Sequence, residues 1–298
     1  MKKIILLITC LYTVSWVYSQ VENLNPKSMI APIQKANYLS PNQNNSQYIT
    51  DKPLPRTEII NGVEATYIPL GQSQNVWSVV GNARTCLWAN PVINSVVFTH
   101  RMPGEWYGDN NKLAYDVSVN GGATFMDNVF VYDCLDPPSY WFGPARYPQG
   151  GIINPIGNEN PDSAYYSYFT AVASGDNGVW GGYAYGSNLL TDTAPSSPTQ
   201  VNLESQGEYQ RFIPSAFTIT QPAVAWYVDG SFLYNDTTNY EYDYTGQLIL
   251  GKGEIVDGEV EYEESLLDFI APNDIINDVK IAFAPDGLTG YICILSNT

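Results

Sequence analysis

The chain has 298 residues, with 30 Asp plus Glu against 13 Lys plus Arg, a formal charge of −17. Such an acidic surface excludes nucleic acid and anionic membrane surfaces as natural partners. At 44% hydrophobic and 13% aromatic residues it can still bury a sizeable core.

Lys2 and Lys3 precede a mostly apolar stretch from Ile4 to Val17. Thr9, Cys10, Thr13 and Ser15 interrupt it, so it is too short and too mixed for a membrane span. It reads as a secretory signal, residues 1–19, cut before Gln20 on the Val17-x-Ser19 pattern. Cys10 is a poor lipidation site because Thr9 stands before it. Residues 20–58 form a leader rich in Asn, Gln and Pro, with Pro26, Pro32, Pro41, Pro53 and Pro55 forbidding long helices and central strands. An edge strand near its end is compatible with this composition.

From Ile59 onward short strand-like runs alternate with turns. The runs are Val96 to His100, Leu113 to Val119, Val129 to Tyr132, Tyr165 to Val172, Ala223 to Val228, Tyr240 to Tyr244, Gln247 to Leu250 and Val279 to Phe283. Turns are expected at Asn61-Gly62, Asn120-Gly121, Asn177-Gly178, Asp229-Gly230, Asp257-Gly258 and Asp286-Gly287. Twenty-three tyrosines suit half-buried pleated surfaces. Only Glu263 to Phe269 suggests a short helix. The fold class is therefore all-β: a sandwich, a barrel or a propeller.

Between two of these runs lies Ser118-Val119-Asn120-Gly121-Gly122-Ala123-Thr124-Phe125. The Asn120 side chain is suited to accept from backbone N–H groups further along the turn, the glycines to permit positive φ, and Phe125 to pack beneath. The pattern Ser-x-Asn-x-Gly-x-Thr-Phe, on Ser118, Asn120, Gly122, Thr124 and Phe125, resembles the Asp-box of bacterial-neuraminidase-type repeats, with Asn for Asp and Phe for Trp. Ile281 to Gly287 resembles the Phe-Ser-Pro-Asp-Gly step between two blade strands. Arg146 to Gly151 is similar to a segment of large exported bacterial β-propeller proteins, which often carry a C-terminal sorting domain that is not seen here. The resemblance implies a β-propeller over 59–298, sialidase-like or WD40-like, six- or seven-bladed when complete. Blades are expected near 60–135, 140–190 and 209–270, with another from 275, and the long spacing suggests that this chain is a fragment. The resemblance also implies secretion, or display on the outer surface of a Gram-negative bacterium.

A sialidase would need an arginine triad, a Tyr–Glu nucleophile pair and an acidic Asp. The mature chain offers Arg56, Arg84, Arg101, Arg146 and Arg211, but the family's Arg-Ile-Pro motif is missing, and no catalytic residue is assigned. Gly246 to Lys252 matches a phosphate-loop spacing, but it ends in Gly253 and its centre is strand-like. His100 lacks a cysteine at ligand spacing and reads as a strand-end residue. Cys86, Cys134 and Cys293 allow at most one internal disulfide. Twelve acids crowd between Asp236 and Asp278. They read as a solvated face, with calcium the one ion they would hold; no Asp-x-Asp-x-Asp loop is present. Loop aromatics remain as binding candidates, Trp106 in a Pro-Gly-rich loop and Trp180 between Gly178 and Gly181. The expected function is a non-catalytic binding or structural module for a glycan or surface protein, without a cofactor. The alternative is a sialidase-like glycoside hydrolase.

Overall fold

A computed structural model describes residues 54–70, 73, 84–102, 112–132, 145–173, 180–192, 201–204, 211–236, 241–268 and 275–297. All lie in one compact unit, Ser46–Thr298. The described residues are strands, turns and a single three-residue 3-10 turn, Pro161–Ser163.

A two-stranded hairpin comes first, β1 (Arg56–Ile60) with β2 (Val63–Tyr67). Its turn is Asn61-Gly62, with φ of 51° and 81°. Two successive positive φ values are what a two-residue turn needs to match strand twist. The first four-stranded sheet runs β3 (Leu87–Asn90), β4 (Ser95–Arg101), β5 (Leu113–Ser118) and β6 (Met126–Tyr132). The second is β7 (Ala145–Ile153), β8 (Tyr165–Ala173), β9 (Trp180–Leu189) and β10 (Val201–Glu204). The third is β11 (Ala216–Thr220), β12 (Val224–Asp236), β13 (Glu241–Val256) and β14 (Glu259–Asp268). A two-stranded sheet follows, β15 (Ile275–Phe283) with β16 (Gly290–Asn297). Every pairing is antiparallel between chain neighbours, so each four-stranded sheet is an up-and-down meander.

The cores lie between consecutive sheets. Val97, Tyr115, Val131, Tyr166 and Tyr168 fill the space between the first and second. Ile153, Phe169, Tyr183, Tyr227 and Ile249 fill that between the second and third. Ala216, Val228, Leu248 and Val279 join the third to the β15–β16 sheet. The first strands of the sheets also meet directly. The Gly150 N–H donates to the Thr85 carbonyl at 2.9 Å, and the Thr85 hydroxyl to the Phe217 carbonyl at 2.7 Å. A Cβ on Gly151 would stand 2.8 Å from the Ile219 Cδ1 and 3.0 Å from the Trp88 Cγ. Only glycine lets these three strands approach so closely.

Three expectations need correction. The expected helix over Glu263 to Phe269 is strand from Glu263 to Asp268, Phe269 lying outside the described residues: β14 pairs residue by residue with β13, from Gln247↔Asp268 to Val256↔Glu259. Half-buried Tyr262 and Glu264 alternate there with exposed Glu261 and Glu263, so the strand period decides. Asp229-Gly230 is not a turn but the middle of β12, with Asp229 buried. Of the expected runs Tyr240 to Tyr244 and Gln247 to Leu250, Tyr240 lies outside the described residues and the others do not stand apart. They run on as β13, through Gly246 at φ 85°. The same strand contains Gly246 to Lys252, in agreement with the strand-like centre read from the sequence. Asn177-Gly178 lies outside the described residues.

Candidate functional site

The octet turn between β5 and β6 forms a dense polar knot. The Ser118 hydroxyl donates to Asn120 Oδ1 at 2.9 Å and accepts from the Gly122 N–H at 2.9 Å. Asn120 Oδ1 accepts from the Thr124 N–H at 3.0 Å, while Asn120 Nδ2 donates to the Thr124 hydroxyl at 2.8 Å. Gly121 and Gly122 have φ of 71° and 88°. Gly122 is buried between Ile68 and the half-buried ring of Phe125. All five residues serve the turn itself. Asn120→Ala is expected to cost about 1 kcal/mol through lost hydrogen bonds, and Gly122→Val more, because valine resists positive φ. Denaturant melts of both variants check this.

A different cluster has chemical potential. It gathers where the entries to the first strands converge. Arg84, two residues before Cys86, sends Nη1 to the Pro214 carbonyl ahead of β11. Its guanidinium carbon lies 4.8 Å from the centre of the Tyr147 ring. The Arg84 Nε is buried without a hydrogen-bond partner among the described residues. Tyr147 has φ 55° and sits where β7 bulges, between Arg146 and Gln149. Pro148, which has no N–H to pair, is tolerated there for the same reason. The bulge turns Tyr147 toward Trp180, ring centres 5.7 Å apart. Arg84, Tyr147 and Trp180 are each half-buried, so they form one partly exposed patch. Gln149 locks the floor: its Nε2 donates to the Pro214 carbonyl at 3.1 Å and its Oε1 accepts from the Thr85 N–H at 3.2 Å.

Behind the patch lie two carboxylates, Asp229 buried and Glu264 half-buried. Asp229 accepts from the Tyr183 hydroxyl, from the Phe212 N–H at 3.0 Å and from the Gly230 N–H at 2.8 Å. Burial nevertheless pushes its carboxyl up to about 7, against these bonds and the attraction of Arg84. Burial likewise lowers Arg84, with the Asp229 charge opposing. Glu264 takes a two-pronged ion pair from Arg211, with Nε–Oε1 at 3.1 Å, and a hydrogen bond from the Tyr227 hydroxyl. The Arg211 guanidinium faces the Tyr183 ring at 5.6 Å, which joins the two limbs.

Asp229 ties stability to pH. Its folded value is raised above the unfolded one, so folding favours the protonated carboxyl. That stabilisation is full below about pH 4 and is lost as pH rises through about 7. Asp229→Asn is expected to flatten the fall in stability across this window, as read by urea midpoints at pH 4 to 8.

Trp180 opens β9 rather than sitting in a loop, and it is half-buried rather than free. Trp106 lies outside the described residues. His100, 1% exposed in β4, holds Asp116 Oδ1 at 3.1 Å, and Asp116 also accepts from the Asn128 N–H at 2.8 Å. Cys293 is an exposed free thiol, Cys86 is buried, and Cys134 lies outside the described residues. Burial pushes the Cys86 thiol up to about 11, which disfavours the thiolate. Among the described residues no group of three or more His, Cys, Asp or Glu is placed to hold a metal ion. Glu259, Glu261 and Glu263 face solvent along β14. Sequence reasoning missed Arg84, Tyr147 and Asp229. For Asp229 a signal existed: apolar runs continue on both sides of it, from Ala223 to Val228 and from Phe232 to Tyr234.

Comparison with known protein families, with curated proteins and with solved structures finds no match to this chain.

Proposed function

We propose that this protein is an exported β-propeller-type module that binds a glycan at the bacterial surface without turning it over. The observation that carries the proposal is the Arg84–Tyr147–Trp180 patch at the convergence of the first strands. Two half-buried aromatic rings and a half-buried guanidinium offer stacking faces and positive charge together, as sugar rings require. Three successive four-stranded meanders, packed through their first strands, support blades as the repeating unit. The octet on Ser118, Asn120, Gly122, Thr124 and Phe125 takes the place of an Asp-box in the first of them. No cofactor enters this reading, and calcium would meet only the exposed carboxylates of β14.

The sialidase-like reading has one observation in its favour. Tyr227 donates to Glu264, a Tyr–Glu pair of the kind that family uses. Against it, Tyr227 is fully buried among aromatic rings, where no substrate reaches its oxygen. Glycan-array binding tests the proposal. Retention is expected for the wild type and loss for Trp180→Ala, with no turnover of a fluorogenic sialoside. Sialoside hydrolysis would overturn the non-catalytic reading.

A further inference from the structure

The short stretch from Phe212 to Pro214, just ahead of β11, joins the buried carboxyl of Asp229 to the aromatic patch. At one end the Phe212 N–H donates to Asp229 Oδ2 at 3.0 Å. At the other the Pro214 carbonyl accepts from Arg84 Nη1 and, at 3.1 Å, from Gln149 Nε2. Arg84 in turn lies over the Tyr147 ring, and Tyr147 meets Trp180. The far end of the stretch is pinned without charge, by the Ser215 N–H on the Val228 carbonyl at 3.0 Å.

The Asp229 carboxyl is surrounded by donors. The Tyr183 hydroxyl and the Phe212 N–H reach Oδ2, and the Gly230 N–H reaches Oδ1. A backbone N–H can only donate, so these bonds are strongest on the ionised form. Burial opposes the same charge, and the balance leaves the carboxyl pushed up to about 7. Tyr183 from β9 and Arg84 from ahead of β3 act on it directly. Arg211 and Glu264 stand beyond Tyr183, and Asp278 on β15 acts on Arg84. Glu264 and Asp278 each hold a cation of their own, Arg211 and Lys280.

We infer that the charge on Asp229 gates the patch: the carboxylate fixes Phe212 to Pro214 and, through them, Arg84 against Tyr147, while the neutral acid releases them, so glycan is held at higher pH and let go at lower pH. This gating rests on the glycan-binding reading of the patch. A protonated Asp229 must place its own hydrogen among three donors, so one of those bonds is lost. Arg84, whose charge burial disfavours, loses the support of the Asp229 charge at the same time.

Two signals followed on the full chain from pH 5.5 to 8.5 test the gate: glycan retention, and the Arg84 Nε–H resonance in proton–nitrogen spectra. That nitrogen is buried, which slows exchange of its proton with water. If the ionised form alone binds, retention should be roughly ninefold weaker at pH 6 than at pH 8, the ratio of carboxylate fractions one unit either side of 7. The Arg84 resonance should move over the same range. Such a loss is not unfolding, because Asp229 stabilises the fold most on the acid side. Tyr183→Phe keeps the ring but removes one donor from the carboxylate, and should move both transitions to higher pH by about one unit. Asp229→Asn should hold both signals level, with retention at the acid-side value. An Arg84 resonance that stays level in the wild type would overturn the inference; if retention stays high throughout as well, the binding reading stands without it. Transitions that Tyr183→Phe leaves in place would also overturn it. An Arg84 resonance that titrates in a protein retaining no glycan at any pH would remove the binding reading, and the gate with it.

Discussion

Phe169→Ala is expected to cost about 3–5 kcal/mol, the range for deleting a fully buried phenylalanine. The ring lies in β8 at the centre of an aromatic cluster. It stacks on Tyr227 at 3.9 Å between centres and meets Tyr183 at 4.9 Å, Tyr262 at 5.2 Å and Tyr185 at 6.1 Å. These partners come from the second sheet, which contains β9, and from the third, which contains β12 and β14. Removing the ring therefore opens a cavity across the contact between sheets, where no single strand can shift to fill it. Tyr183 and Tyr227 also aim their hydroxyls at Asp229 and Glu264. Loss of Phe169 should thus loosen both carboxylates. Urea unfolding followed by tyrosine absorbance reads the effect.

Glu264→Ala should be comparably damaging, at about 3–5 kcal/mol, for a different reason. Arg211 is 2% exposed, and Glu264 neutralises it through two prongs. Without the carboxylate a guanidinium remains buried near the Tyr183 ring with its Glu264 ion pair gone. The double variant Arg211→Met with Glu264→Leu should cost clearly less than Glu264→Ala, because it removes both charges and keeps the volume. A double-mutant cycle on urea midpoints separates the two outcomes. Equal losses for the single and double variants would show that packing, not charge, governs this position.

Much of the strand pattern was legible in the chain. Leu113 to Val119 and Tyr165 to Val172 coincide with β5 and β8 to within one residue. The Asn61-Gly62 and Asp257-Gly258 turns were legible because both dipeptides occupy positive φ at both residues. Asp229-Gly230 carries the same local signal and failed. Burial against Tyr183 and the backbone N–H groups of Phe212 and Gly230 outweighed turn propensity there. Glu263 to Phe269 failed likewise. A run of acids with two leucines reads as a helical face until the ladder to β13 imposes a period of two. The β7 strand was hidden by Pro148 and by two glycines, residues that normally mark loops. Its bulge and its close approach to Trp88 and Ile219 require them. The patch itself was not legible, apart from Trp180. Arg84 precedes β3 and Tyr147 lies in β7, sixty-three residues on, so only the meeting of first strands brings them together.

The most direct test of the binding account is Tyr147→Gly, measured by melting and by glycan retention on the same preparation. Tyr147 holds φ 55°, a region that costs a non-glycine residue on the order of 1 kcal/mol and costs glycine nothing. Removing the ring while relieving the backbone is predicted to leave the melting temperature unchanged or raised, and to abolish retention of the glycan. Retention at the wild-type level in a folded Tyr147→Gly protein would contradict the account.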